Sequence, residues 1–294
     1  MTQINNIVSI MVKVAELAIA APLVSGVISK LKNNFRMRKG PSVLQPYYNV
    51  RKLFSKDEVI SKHASWIFYA APAIVFISSI LFLFLVLIAR PGYSIENNIV
   101  ILIAAFFVLG LARFFLALAG LDAGSSFGGM GSSREMFISS LAEPTAFISI
   151  FVLCMGQEGA FRISSLLAGL AFFVVVIAET SRVPVDNQET HLELTMVHEA
   201  MVLEYSGRSL ALIELGGHIK QMAFFVMLSW YFFPNMITGF SGPAVFAFSV
   251  AVGALVVALI EMSLAKMRLF RVVDLLSFSF FIALLASVVA GLGL

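Results

Sequence analysis

The sequence predicts an all-α membrane protein with about eight transmembrane helices, in a single polytopic domain over residues 1–294. Three observations carry that expectation. Hydrophobic residues make up 60% of the chain and charged residues 13%, against roughly 45–50% and about 25% in soluble domains, which leaves too little polar surface to cover a globule in water. The apolar residues fall into runs of spanning length, about 20 residues each. The basic residues collect on one side of those runs.

The runs lie at approximately 4–29, 66–89, 99–120, 136–157, 163–180, 216–238, 243–264 and 272–293. Lipid offers backbone groups no outside partner, and no ten-residue alternation marks a barrel strand, so each run is a helix. The first has no basic region ahead of it and is interrupted by Lys13, so it reads as a retained helix rather than a cleaved signal. Pro22 and Pro144 fall within spans, where neighbouring helices re-satisfy the freed carbonyls. The single cysteine, Cys154, excludes an internal disulfide and supplies no iron–sulfur or zinc ligand set; it reads as a small packed side chain.

If both termini face outward, the connections after spans one, three, five and seven face the cytoplasm. The first carries nine basic residues between Lys30 and Lys62, and the others add Arg134, Arg182, Arg208, Lys266, Arg268 and Arg271. The opposite side keeps Arg90 and Arg162. That bias places both termini on the outer side. It also turns the net charge of +3 into a topology signal, with the lipid bilayer and no nucleic acid as its partner.

Three cytoplasmic connections stand out. Segment 30–65 mixes Leu53, Phe54, Val59 and Ile60 among its charges, so part of it is expected along the membrane surface. Segment 121–134, LDAGSSFGGMGSSR, reads as a connection whose glycines serve tight turns and close helix contact; no lysine follows them in the phosphate-loop pattern. Segment 179–215 holds Glu179, Asp186, Glu189, Glu193, Glu199, Glu204 and Glu214, seven of the chain's 17 acidic residues. Its composition predicts a funnel of carboxylates from the cytoplasmic face toward the helix interior.

Ionisable residues inside the spans carry the functional expectation. A charge at the centre of a bilayer helix costs at least about 2.5–3.5 kcal/mol on insertion scales. Glu143 in the fourth span and Glu179 at the end of the fifth have no basic residue one turn away in their own spans, and Arg182 stands near Glu179 only in the loop. Both are therefore expected to face a protein interior or a hydrated path, where carboxylates exchange protons. Glu135 and Glu143, eight apart, share a helix face and mark successive stops of such a path. Glu189 and Glu193, four apart, do the same if helical. Arg113 lies in the third span, Lys13 and Glu16 read as an ion pair one turn apart, and Glu261 fits equally an ion pair with Lys266 or Arg268 and a place on the path.

Hydrolytic and metal chemistry find little support. HEAMV at 198–202 begins like a zinc-protease motif, but Val202 fills the second histidine position, and His191 and His198 are seven apart, unsuited to a one-helix zinc pair. A hydrogen-bonding or proton-sharing role remains for His198. No serine or cysteine has the partners of a nucleophile. No internal repeat of broken helices marks a secondary transporter.

The run ETSRVPVD over 179–186, followed by Glu189, Glu193 and the EYSG of 204–207, resembles the signature loop of one membrane subunit of respiratory complex I, the one that forms the quinone chamber and the entrance to its proton path. Homologues in membrane-bound nickel–iron hydrogenases share it. RKGP at 38–41, with Gln45, Pro46 and Lys52-Leu53, resembles the family's second signature, and Glu143 matches an acidic residue of its fourth helix. Asn49 stands where quinone-reducing members usually carry aspartate, and Gln188 and His191 where they carry glutamates. LTMVHEAMVLEYSG at 194–207 and IEMSLAKMR at 260–268 look like the energy-converting hydrogenase branch.

The resemblance implies a subunit without a redox centre of its own, in the cytoplasmic membrane of a prokaryote. A nickel–iron (NiFe) centre and iron–sulfur (4Fe-4S) clusters would belong to large and small hydrogenase subunits docked on the cytoplasmic face, and an antiporter-like subunit would lie beside it in the membrane. It implies contact with the cytoplasmic arm through Arg38, Gly40, Pro41, Gln45, Pro46, Arg182, Pro184, Tyr205 and Arg208. It implies ion-path or coupling roles for Glu135, Glu143, Glu179, Asp186, Glu189, Glu193, Glu199, Glu204, Glu261 and His198. Three alternatives stay open: a quinone-site subunit of a complex I-like oxidoreductase, a stand-alone secondary transporter, and a passive anchor.

Overall fold

The computed structural model describes residues 2–60, 64–89, 95–155, 163–186, 196–232 and 242–292. Among them are ten helices and no strand: α1 (Thr2–Phe35), α2 (Gln45–Phe54), α3 (Trp66–Ile88), α4 (Ile95–Asp122), α5 (Ser126–Met155), α6 (Ile163–Glu179), α7 (His198–Val202), α8 (Gly207–Phe232), α9 (Gly242–Ser263) and α10 (Leu269–Gly291). Seven are long and apolar enough to cross a membrane. The eighth expected span, α6, has 17 residues, about 26 Å at 1.5 Å per residue, slightly short of the roughly 30 Å hydrocarbon core.

The surface is that of a molecule in lipid. Ile77, Phe107, Phe248 and Phe278 stand exposed, while serines and charged residues such as Ser139, Ser279, Arg113 and Glu261 are buried. The helices pack α9–α1–α8–α3–α4–α5 in series, and α10 covers α5 and α6. Phe82, Phe106, Phe172 and Phe224 interlock at the centre through edge-on and tilted ring contacts.

Two segments read as loops are helical. α5 starts at Ser126, so the glycine- and serine-rich stretch is largely its first turns, and residues 123–125 alone separate it from α4. Composition misleads here because the glycines serve contact between helices. A Cβ on Gly128 would stand 2.3 Å from the carbonyl oxygen of Gly120. Likewise α8 starts at Gly207, so the acidic loop ends near residue 206 and Glu214 lies inside a span.

Segment 30–65 contains the expected surface element. α2 buries Val50 and turns Tyr48, Arg51 and Lys52 outward. It is docked on α1 near Pro22: the Tyr47 hydroxyl donates to the carbonyl oxygen of Ile19. Just below, α1 touches the chain before α2 so closely that a Cβ on Gly26 would fall 1.9 Å from the carbonyl oxygen of Val43. At the other end, the Tyr205 ring stacks on Phe68 with centroids 4.1 Å apart and its hydroxyl donates to the Phe68 carbonyl at 3.0 Å. This locks the start of α8 to α3.

Candidate functional site

Arg113 is buried in α4, and a guanidinium there demands counter-charges. They come from two other helices. Nη1 donates to Glu143 of α5 and Nη2 to Glu179 of α6, while Nε lies 3.6 Å from Glu135 of α5. Glu135 and Glu143 thus share one face, as their spacing predicts. Glu179 is brought inward because α6 is short and ends on it. A second cation, Lys220 of α8, places Nζ 4.0 Å from Glu179 Oε2. Three carboxylates face two cations. Glu143 differs from the others: its side chain keeps 39% of its surface exposed, against 4% for Glu179, so the cluster reaches the outer surface of the bundle at that carboxylate.

A second network lies beside it. Glu261 of α9 accepts from Lys32 of α1 at 3.1 Å and from Arg182 at 2.9 Å. Arg182 also donates to Gln221 of α8 at 3.0 Å, and Gln221 accepts from Ser25 at 2.8 Å. The turn 180–186 carrying Arg182 is held by Asp186, which takes Lys266 at 2.6 Å and the backbone N–H groups of Val197 and His198 at 3.2 and 3.0 Å. The two networks enclose a polar cavity of about 330 Å³, with Glu179, Arg182, Asp186, His198, Lys220 and Glu261 in its walls. Pro46 and Asn49 of α2 and Glu199 of α7 also line it.

Burial lowers the pKa of His198 on α7, since it penalises the charged ring; Glu199 and Asp186 act against that and Lys220 with it. Burial likewise raises that of the Tyr205 phenol.

The structure brings together Glu135, Glu143, Glu179, Asp186, Glu199, Glu261 and His198 around the cavity and the arginine. Glu204 is exposed at the turn after α7 and does not line the cavity. Glu189 and Glu193 lie outside the described residues. Of the residues expected to meet a partner, Arg38, Pro41, Gln45 and Arg208 are exposed, Gly40 and Pro46 are half-buried, and Pro184 and Tyr205 are buried. Arg182 serves the interior, pairing with Glu261 rather than with nearby Glu179. Arg113, Lys32 and Lys220 have roles the sequence left unassigned. A charge inside an apolar run is the signal for Arg113 and Lys220, but only packing shows that the cation for Glu143 and Glu179 comes from a different helix.

A family model described as NADH dehydrogenase matches residues 7–291. Among curated proteins, formate hydrogenlyase subunit 4 of Escherichia coli (strain K12) is 30% identical over 275 residues, covering 85% of this chain and 87% of the relative. Hydrogenase-4 component C of the same organism is 32% identical over 239 residues, covering 74% and 72%. NADH-quinone oxidoreductase subunit 8 of Rhodothermus marinus is 26% identical over 248 residues, covering 76% and 70%. Among solved structures, a chain of the membrane-bound sulfane sulfur reductase, an archaeal respiratory membrane complex, superposes with a TM-score of 0.79 at 16% identity, covering 96% of this chain and 98% of that one.

Proposed function

The chain belongs to the NADH dehydrogenase family, and from that membership we propose that it anchors an energy-converting nickel–iron hydrogenase in the membrane and couples its electron flow to ion movement. The observation that carries the reading is the Arg113 cluster, which runs from a polar cavity to a carboxylate, Glu143, on the outer surface of the bundle. The names of the two Escherichia coli relatives favour a hydrogenase.

In this reading the basic end faces the cytoplasm and both termini face outward. The cytoplasmic arm carries the nickel–iron centre and iron–sulfur clusters, supplies electron transfer between a donor such as ferredoxin and protons, and sits over the cavity. A change in charge there shifts the protonation of Glu179, Glu135 and Glu143, and Glu143 passes the shift to an antiporter-like membrane neighbour. With three carboxylates to two cations, the fully ionised cluster carries one net negative charge, which one bound proton cancels. In surroundings of low dielectric that difference is large enough to drive a neighbour.

The test is metal analysis of the complex that co-purifies with the chain in mild detergent. Nickel with abundant iron, and hydrogen evolution from reduced ferredoxin, are expected. Iron without nickel, together with extractable quinone, would instead favour a quinone-reducing complex. The quinone oxidoreductase relative supports that second reading.

A further inference from the structure

Behind the polar cavity lies a second, smaller space of about 40 Å³, bounded by Arg113 and Glu135. His198, Ile213, Gly217 and Lys220 line both spaces. The wall between the cavity and the arginine cluster is therefore a single layer of residues, three of them carried by α8.

Two details of this wall point to movement. Glu179 Oε2 is buried and accepts no hydrogen bond, while Lys220 Nζ stands 4.0 Å away, just beyond reach. A small rotation of one lysine side chain closes that gap. One turn earlier on the same face of α8, no neighbouring atom lies within 4 Å of where a Cβ on Gly217 would stand. The layer is thin at the glycine and charged at the lysine.

We propose that the Gly217–Lys220 turn of α8 is a proton gate between the cavity and the Arg113 cluster, with Lys220 as the group that carries the proton across. The proposal rests on the reading of the cluster as an ion path. The charged groups facing Lys220 are Glu179 of α6, Glu135 of α5 and Arg113 of α4, with His198 of α7 beside it in the wall. The step balances as follows. The Lys220 ammonium swings to Glu179 Oε2 and gives up one proton, leaving a neutral amine beside a carboxylic acid. The amine turns back and takes a proton from a hydronium ion in the cavity, which leaves water and restores the ammonium. Glu179 is then neutral, its hold on Arg113 weakens, and Arg113 tightens on Glu135 and Glu143. This chemistry selects protons over sodium, because the ammonium repels a cation and the lone pair of the amine is what takes up the next proton.

The experiment uses the complex that co-purifies with the chain, reconstituted into phosphatidylethanolamine–phosphatidylglycerol vesicles loaded with a pH-sensitive dye. The readout is protons moved per electron delivered. A wild-type complex that turns over while moving sodium, followed in parallel with a sodium-sensitive dye, overturns the gate, and one that moves neither ion sinks the ion-path reading itself, before any variant is made. Where the wild type does move protons, Lys220→Arg is the decisive variant. Arginine keeps the charge and the ion pair but does not release its proton, so a loss of about tenfold or more is expected, toward the range of a lost positioned proton donor. Gly217→Leu keeps every charge and fills the gap, and the same loss is expected. A wild-type ratio in either variant overturns the gate. Should these variants fail to assemble, Gly217→Cys supplies a separate measurement, since the natural thiol, Cys154, is buried. A small membrane-impermeant thiol reagent added from the cytoplasmic side is expected to label the new cysteine. Protection of that thiol would overturn the proposal.

Discussion

Arg113 and Glu143, thirty positions apart in the chain, meet across α4 and α5, and the carboxylate is the partner through which the arginine reaches the bundle surface. An arginine whose other two counter-ions are enclosed is thereby tied to whatever covers that surface. Glu143→Gln leaves Arg113 with Glu135 and Glu179, so the variant is expected to assemble. Ion movement per electron should fall by a factor on the order of 10². Wild-type pumping in this variant would remove Glu143 from the path.

Removing the arginine is a different matter. Arg113→Met leaves three carboxylates facing Lys220 alone, and breaking a buried pair costs about 3–5 kcal/mol. The variant is expected to accumulate poorly. Adding Glu179→Gln should restore part of the lost thermal stability, because it deletes the most enclosed of the stranded charges. Additive losses in the double variant would show that the two residues do not act on each other.

Asp186 holds the turn 180–186 against Lys266 and the start of α7. Asp186→Asn keeps one carbonyl for the backbone donors but gives up the ion pair. A loss of about 1–3 kcal/mol is expected, the cost of leaving a buried partner unsatisfied. Limited proteolysis of the purified complex should show earlier cleavage near residues 187–197.

The imidazole of His198 has a pKa below its ordinary 6.5. The unfolded chain therefore binds a proton there at pH values where the folded chain does not, and stability rises with pH across that window. The contribution is complete above about pH 6.5 and is lost as the solution is made more acid. His198→Gln, which cannot charge, is expected to flatten the fall of Tm on acidification. An unchanged slope would clear His198 of any part in it.

Gly26 and Gly217 are both helical glycines in spans, yet they should respond oppositely to alanine. Gly26→Ala drives a Cβ onto Val43 and must push α2 away from α1, at about 1–3 kcal/mol. Gly217→Ala meets open space and gains helix propensity, up to about 1 kcal/mol. Thermal melts of the two variants, compared side by side, check the sign.

The periodic part of the site was legible. Glu135 and Glu143 were placed on one face by counting residues, and hydropathy marked every span, because both depend on distances along one helix. What counting misses is which helix lies alongside. Glu143 and Glu179 have no cation one turn away in their own spans, and Arg113, a charge in another span, serves both. Lys220 is a charge in the sixth apolar run, but its partner Glu179 lies on another helix and 41 positions away. The stretch 121–134 reads as a connection because glycine and serine usually make one, yet from Ser126 onward it belongs to α5. Its glycine at 128 stands there because α4 lies too close for a larger side chain.

Lys32 and Glu261 are 229 positions apart. At roughly 5–20 residues per second, the ribosome makes the lysine some 10–50 s before its partner. During that time α1 and α2, neighbours in sequence, can already seat against one another, while the ammonium at the end of α1 stays in the headgroup layer, where a long aliphatic stem lets it wait at little cost. Closure of the cavity is then a late act of synthesis, reached when α9 delivers Glu261 to both Lys32 and Arg182. A chain stopped short of α9 would insert, but it would leave two cations facing an open cleft, a defect that membrane quality control can read.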